Sequence, residues 1–168
     1  MVDGDALMVD GRAVEPDTFM DALDPVLPMA YRLARGFLRN ADEADDVLQE
    51  ATLKAWKHRG SLRAGSPLRP WFLAIVANQC RSERRRRWWS VIRVPEVPQA
   101  QHEVDSHSAD IGRELAKLPR EDRLALFLYF YLDLPLEEVG SVLGLSAGGA
   151  KTRVYRAAKK LRPGLEMD

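Results

Sequence analysis

The sequence predicts an all-α protein, two small helical domains joined by a flexible linker. Three observations predict it. Apolar residues return at the three-to-four-residue spacing of a helix through most of the chain. No stretch alternates apolar and polar residues convincingly enough for a strand, and no internal repeat is evident. Between Val94 and Asp110 the helical period lapses, in a run with two prolines, four acids and neither Lys nor Arg. That is the composition of a linker. At 168 residues there is room for one ordinary domain or two small ones.

Residues 1–17 are acidic, lack an apolar run and read as a flexible tail, not a signal peptide. Asp17 or Thr18 is a candidate cap for a first helix, made irregular by Pro25 and Pro28. From Val26 to Leu38 the positions Leu27, Ala30, Tyr31, Ala34, Phe37 and Leu38 share a helical face, and Asn40 breaks the run. A helix over Asp42–His58 gathers Ala44, Val47, Leu48, Ala51, Ala55 and Trp56 on one side. Gly60–Pro67 has loop composition. A third helix runs from Leu68 to about Arg87, burying Trp71, Phe72, Ile75, Val76 and Ala77. The first domain is therefore expected over 18–93, the linker over 94–110 and a four-helix domain over 111–168. In that second domain Ile111, Leu115 and Leu118 resume the period. Pro119 opens a helix carrying Leu124, Phe127, Leu128 and Tyr131, and Pro135 opens a short one with Leu136, Val139 and Leu143. Gly144 marks a turn, Ser146 caps, and the last helix carries Ala150, Val154, Ala157 and Leu161.

The formal net charge is zero, yet the charges lie in blocks. Up to Gly60 there are 12 acids against 7 bases; Ser61–Val94 holds 8 arginines against Glu83 alone. Six of the last ten bases fall between Lys151 and Arg162. Block charge is a statement about partners. The single cysteine, Cys80, excludes an internal disulfide and a multi-cysteine zinc site, and a free thiol fits a reducing cytoplasm. No stretch approaches the roughly 18 apolar residues of a membrane span, so no membrane contact is expected. No zinc-type pattern surrounds His102 or His107, and no metal or cofactor is expected.

Three segments carry candidate chemistry. Leu136–Arg162 reads as a helix-turn-helix: a short apolar helix, a Gly turn, then a helix with one apolar and one basic side. Lys151, Thr152, Arg153, Tyr155, Arg156, Lys159 and Lys160 are left for solvent or a ligand. Gly148 and Gly149 weaken its first turn, since Gly costs about 1 kcal/mol relative to Ala in a helix; small residues there would let the helix end approach phosphates. A solvated basic face that suits the helix dipole is the plainer reading. Asp42, Glu43, Asp45, Asp46, Gln49 and Glu50 form an acidic ridge opposite the apolar side of their helix. Such a ridge repels DNA, so it is either merely solvated or meets a basic protein surface. Arg81 and Arg84–Arg87, beside Trp88 and Trp89 and after Trp71 and Phe72, interleave cations with aromatics as a nucleic-acid strand requires. Core aromatics and arginines partnering a helix C-terminus explain the same residues.

The segments "DDVLQEATLKAW", "LRPWFLAIVANQCRSERRR" and "LAKLPREDRLALFLYFYLDLPLEEVGSVLGLSAGGAKTRVYRAAKKL", in that order, resemble the extracytoplasmic-function sigma factors of bacterial RNA polymerase, over roughly Pro28–Arg162. The resemblance implies that the first domain is sigma region 2 and the second is sigma region 4. It implies that Asp45, Asp46, Gln49 and Glu50 dock on the clamp helices of the largest polymerase subunit, with the flap of the second-largest as a further contact. Arg63, Trp71, Asn78, Arg81, Arg84 and Arg85 fall on the part that recognises and melts the minus-ten element. Ser146, Gly148, Lys151, Thr152, Arg153, Tyr155 and Arg156 match the helix that reads the minus-thirty-five element. The implied function is a cytoplasmic, non-enzymatic initiation subunit held by an anti-sigma factor. Gly148-Gly149-Ala150 stands where Gly-Thr-Val is common, Ala158 where an Arg is common, and Ser82 near the place of a frequent Asp, which bears on the promoter sequence. Two other functions fit parts of the chain: a stand-alone helix-turn-helix regulator, which leaves the acidic ridge unexplained, and a carboxylate-metal nuclease on Asp42, Asp45, Asp46 and Glu50, which lacks a base and a phosphate-binding loop.

Overall fold

The computed structural model describes residues 7–9, 12–14, 16–38, 40–90 and 114–165, with side chains over 17–38, 40–83 and 114–161. The chain divides into two compact units, at Arg85 and Arg86, inside a helix. The expected linker, with His102 and His107, lies outside the described residues.

The first unit opens with a feature the helical reading did not include. Strands β1 (Leu7–Val9) and β2 (Arg12–Val14) pair antiparallel, with Leu7 opposite Val14 and Val9 opposite Arg12. Between them in sequence stand Asp10 and Gly11, the dipeptide that two-residue hairpins favour. Part of the expected tail is thus a short hairpin, and helix α1 (Pro16–Leu23) follows it directly. Pro16 suits a first helical turn because its missing N–H would have no partner there. A 3-10 turn over Asp24–Val26, entered at Pro25, leads into α2 (Leu27–Leu38). Asn40 interrupts the pattern because it caps the next helix: its Oδ1 accepts the Glu43 N–H at 3.2 Å. That helix, α3 (Ala41–Lys57), packs on α2 through Ala44, Val47, Ala51 and Ala55, all buried. After a 3-10 turn (Arg59–Ser61), Leu62 is buried and Gly65 adopts φ +80°. Helix α4 (Leu68–Ser90) contributes Phe72, Leu73, Val76, Ala77 and Cys80 to the core. Phe19 of α1 is fully buried, its ring 5.9 Å from that of Trp56 in α3.

After the end of α4, the described residues of the second unit resume with one helical turn over 114–117, then α5 (Arg120–Leu126). The helix Pro119 opens does not continue regularly. It widens into a π-turn over Phe127–Tyr131, where Leu132 N–H reaches the Phe127 carbonyl at 3.0 Å. The extra residue per turn rotates the aromatic run, so Leu128 is buried whereas Phe130 and Tyr131 stand 64% and 61% exposed. Tyr131 therefore does not join Leu124 and Leu128 in the core. Asp133 ends the turn at φ +56°, a left-handed conformation that Asp tolerates better than most residues.

Helix α6 (Leu136–Leu143) buries Val139 and Val142, and Gly144 closes it at φ +70°, where a Cβ would be strained. Helix α7 (Ala147–Leu165) packs against both α5 and α6 through Ala150, Val154 and Ala157. The join of α6 and α7 is tight at Gly140. Its carbonyl accepts the Leu145 N–H at 2.8 Å, and a Cβ on it would lie 2.6 Å from the Leu145 carbonyl oxygen. Gly148, in contrast, has nothing within 4 Å of a Cβ position. The two glycines should respond oppositely to alanine. In urea denaturation Gly140→Ala should cost about 1–3 kcal/mol, the range for forced backbone shifts. Gly148→Ala should cost nothing and gain up to about 1 kcal/mol. Equal melting midpoints for the two variants would show that the turn yields freely.

Candidate functional site

Helix α3 separates two faces by its period. With 100° per residue, Asp42, Asp45, Asp46 and Gln49 form a stripe with Glu50 at its edge, opposite the buried Ala44, Val47, Ala51 and Ala55. All five stripe residues are exposed, whereas Glu43 is half-buried beside its cap. The structure adds one residue that charge reading passes over. Leu53, 52% exposed, stands one helical turn beyond Gln49 on the same stripe. A single exposed leucine is ordinary on a protein surface, and here it extends the acidic stripe by one apolar residue at its C-terminal end. Its residue type suggests core, but the 100° period of the helix already sets it about 40° from Gln49 and away from Ala51. Among the described residues, no group of three or more His, Cys, Asp or Glu side chains could hold a metal.

Near the C-terminal end of α3 and across α4 lie the residues expected at the second surface. Arg63 is exposed on the loop; Trp71 is half-buried; Asn78 is exposed and accepts a hydrogen bond from Arg81 Nη1 at 2.7 Å. Trp71 and Asn78 line one open surface depression, which Lys54 of α3 and Gln79 also border. Trp71 and Ile75 are thus the wall of a depression, not the closed core the spacing predicts for them. Lys54 and Gln79 were not foreseen, since 25 residues separate them and only packing of α3 on α4 joins them in a hydrogen bond. The side chains of Arg84 and Arg85, like those of Trp88 and Trp89, lie outside the described residues.

The third surface is α7. Its buried side is Ala150, Val154 and Ala157, so Lys151, Thr152, Tyr155, Arg156 and Lys159 face out, while Arg153 is half-buried. Lys151 Nζ sits 6.0 Å from the Tyr155 ring centroid, one helical turn away, at the outer reach of a cation–π contact. Lys160 differs from the other bases: it pairs with Asp122 of α5 at 2.9 Å. An exposed ion pair contributes ~0–1 kcal/mol, but it partly neutralises Lys160 as a phosphate contact. At the start of the helix Ser146 Oγ accepts the Gly149 N–H at 3.1 Å. One first-turn amide is therefore satisfied, and those of Ala147 and Gly148 precede any carbonyl that the helix itself could offer. The N-terminal half of α7 combines donors, small residues and outward cations on one exposed edge.

These three surfaces have counterparts elsewhere. Residues 23–90 match the family model for sigma-70 region 2, and residues 108–161 that for sigma-70 region 4. The RNA polymerase sigma factor SigV of Bacillus subtilis is 30% identical over 137 residues, 79% of this chain and 81% of that one. The ECF RNA polymerase sigma factor EcfG of Rhodopseudomonas palustris is 30% identical over 158 residues, 90% of this chain and 87% of that one. Among solved structures, the sigma factor RpoE of Bartonella quintana, crystallised in complex with the anti-sigma factor NepR, is 29% identical with a TM-score of 0.69, covering 89% of this chain and 98% of that one. CnrH, in complex with the cytosolic domain of CnrY, has the same fold at a TM-score of 0.68. Two regions in the same order, and relatives matched along most of their length, make the chain a member of the extracytoplasmic-function sigma factors of the sigma-70 family.

Proposed function

We propose that the protein is a dissociable, non-enzymatic subunit of bacterial RNA polymerase that acts in the cytoplasm and directs initiation at selected promoters. The observation that carries this reading is the pairing of regions 2 and 4 in one chain, one bearing the acidic stripe and the other the basic helix. A stand-alone regulator has use for the second but not for the first. Among the described residues no helix is long and apolar enough to cross a membrane.

On this reading Asp45, Asp46, Gln49 and Glu50 grip the clamp helices of the largest polymerase subunit, and Leu53 supplies an apolar contact at the end of the stripe. Opposite charge speeds encounter and fixes orientation more than it adds affinity. Region 4 meets the flap of the second-largest subunit. Arg63, Trp71, Asn78, Arg81, Arg84 and Arg85 engage the opened minus-ten element, where taking a base out of the stack costs a few kcal/mol that polymerase binding helps to supply. The minus-thirty-five element remains duplex and meets Ser146, Gly148, Lys151, Thr152, Arg153, Tyr155 and Arg156. A helix entering the major groove uses its N-terminal residues on base edges and its flanks on phosphates. Control by an anti-sigma factor is supported by the complex of RpoE with NepR; such a partner would mask these same surfaces.

Two experiments test the assignments. In transcription with purified core polymerase, Asp46→Arg combined with Glu50→Arg should abolish promoter-directed initiation while leaving duplex binding by region 4 intact; a double variant that transcribes normally removes the docking assignment. For duplex promoter DNA, Arg156→Ala should weaken binding and lower the slope of log K against log salt by about one unit. An unchanged slope would show that α7 does not track phosphate.

A further inference from the structure

The period of α7 puts Lys160 on the edge that already carries two arginines. At 100° per residue, Lys160 stands about 40° from Arg156 and about 20° from Arg153. The three form one row along the helix, with Lys160 about 6 Å beyond Arg156. A helix whose N-terminal half lies in the major groove brings its flanks beside the phosphates. Three cations on such a row would ordinarily make three phosphate contacts.

Lys160 is the member of the row that is already occupied. Its Nζ donates to Asp122 Oδ2 at 2.9 Å, a contact that joins α7 to α5 across 38 residues. No ion pair engages Arg153 or Arg156 among the described residues. The two ends of the pair are unequal, because the Asp122 side chain is 14% exposed and that of Lys160 46%. Asp122 also sits in the first turn of α5, where the helix dipole favours its negative charge. The carboxylate is therefore the fixed member and the lysine the movable one. A phosphate that drew Lys160 away would leave Asp122 without its cation and facing a polyanion, so the exchange is opposed twice.

We propose that Asp122 is a positioning residue that withholds Lys160 from DNA and so limits how many phosphates α7 neutralises. The inference rests on the reading of α7 as the duplex-binding helix. It goes beyond it by making a carboxylate on another helix a negative determinant of that grip, and the resemblance assigns neither member of the pair.

The test measures binding of the full chain to a duplex carrying the minus-thirty-five element of a promoter it serves, over a range of salt. Asp122→Asn, similar in size and uncharged, should tighten binding about three- to fivefold at low salt. It should also steepen the slope of log K against log salt by about 0.9, the value for one phosphate on duplex DNA. Removing a negative charge strengthens DNA binding whether or not Lys160 takes part, so the deciding variants change the lysine. Lys160→Met alone should leave the slope unchanged, and added to Asp122→Asn it should cancel the steeper slope. Asp122→Glu, which keeps the charge, should bind as the unaltered chain does. A slope unchanged in Asp122→Asn overturns the proposal, as does a gain that survives Lys160→Met. Lys160→Met is decisive even if Asp122→Asn folds poorly, because a slope lowered by about 0.9 in it alone would mean that Lys160 already meets phosphate. Arg156→Ala separates the two levels of the argument: if it flattens the slope while the Asp122 and Lys160 variants fail as above, only the proposal falls. If Arg156→Ala has no effect either, the reading of α7 falls with it.

Discussion

A helix can bury only one side in a domain this small, and whatever charge it carries is then fixed on the other. In α3 the buried side is Ala44, Val47, Ala51 and Ala55, and in α7 it is Ala150, Val154 and Ala157. Both are dominated by alanine, which lets neighbouring backbones approach and leaves little freedom for the helix to roll about its axis. The acidic stripe of α3 and the basic edge of α7 are therefore held outward by packing. Opposite charges at other points of the same sequence would fold equally well. Partner choice rides on residues the core does not constrain, which is how a chain of zero formal net charge can carry surfaces suited to a protein and to DNA.

The parts of the structure written in one-dimensional period were readable beforehand. The spacing of Ala44, Val47, Ala51 and Ala55 announced α3, although Asn40 stands out in the sequence only as a break and not as its cap, and Gly144 with Ser146 announced the turn before α7. What escaped was written in other ways. The hairpin at Leu7–Val9 and Arg12–Val14 is signalled by Asp10-Gly11 and three residues on either side, too short a run for alternation to register among acidic neighbours. The run "FLYFY" is apolar at every position, so no period distinguishes a regular helix from the π-turn that turns Phe130 and Tyr131 outward. Leu53 looks like a core leucine until its angle to Gln49 is drawn. The depression at α3 and α4 depends on contacts between Lys54 and Gln79, and no local pattern encodes a contact across 25 residues.

The glycines of the second unit make a sharper case, because identical residues serve different physical ends. Gly144 is needed for its positive φ, and Gly140 for the 2.6 Å that separates its Cβ position from a backbone oxygen. Those two belong to the fold. Gly148 has ordinary helical geometry and open space around it, so the fold gains nothing from the missing side chain and loses helix propensity. A chain under selection for stability alone would hold alanine there. The loss is explicable if something outside the molecule needs the room, and the edge it borders bears Lys151, Thr152, Tyr155 and Arg156 with the first-turn amides. A phosphate or base edge brought against that backbone gains charge-assisted hydrogen bonds that a methyl group would hold at a distance. The weakness of the first turn of α7 and the charge of its flank are then two consequences of one requirement, close approach to an anionic ligand.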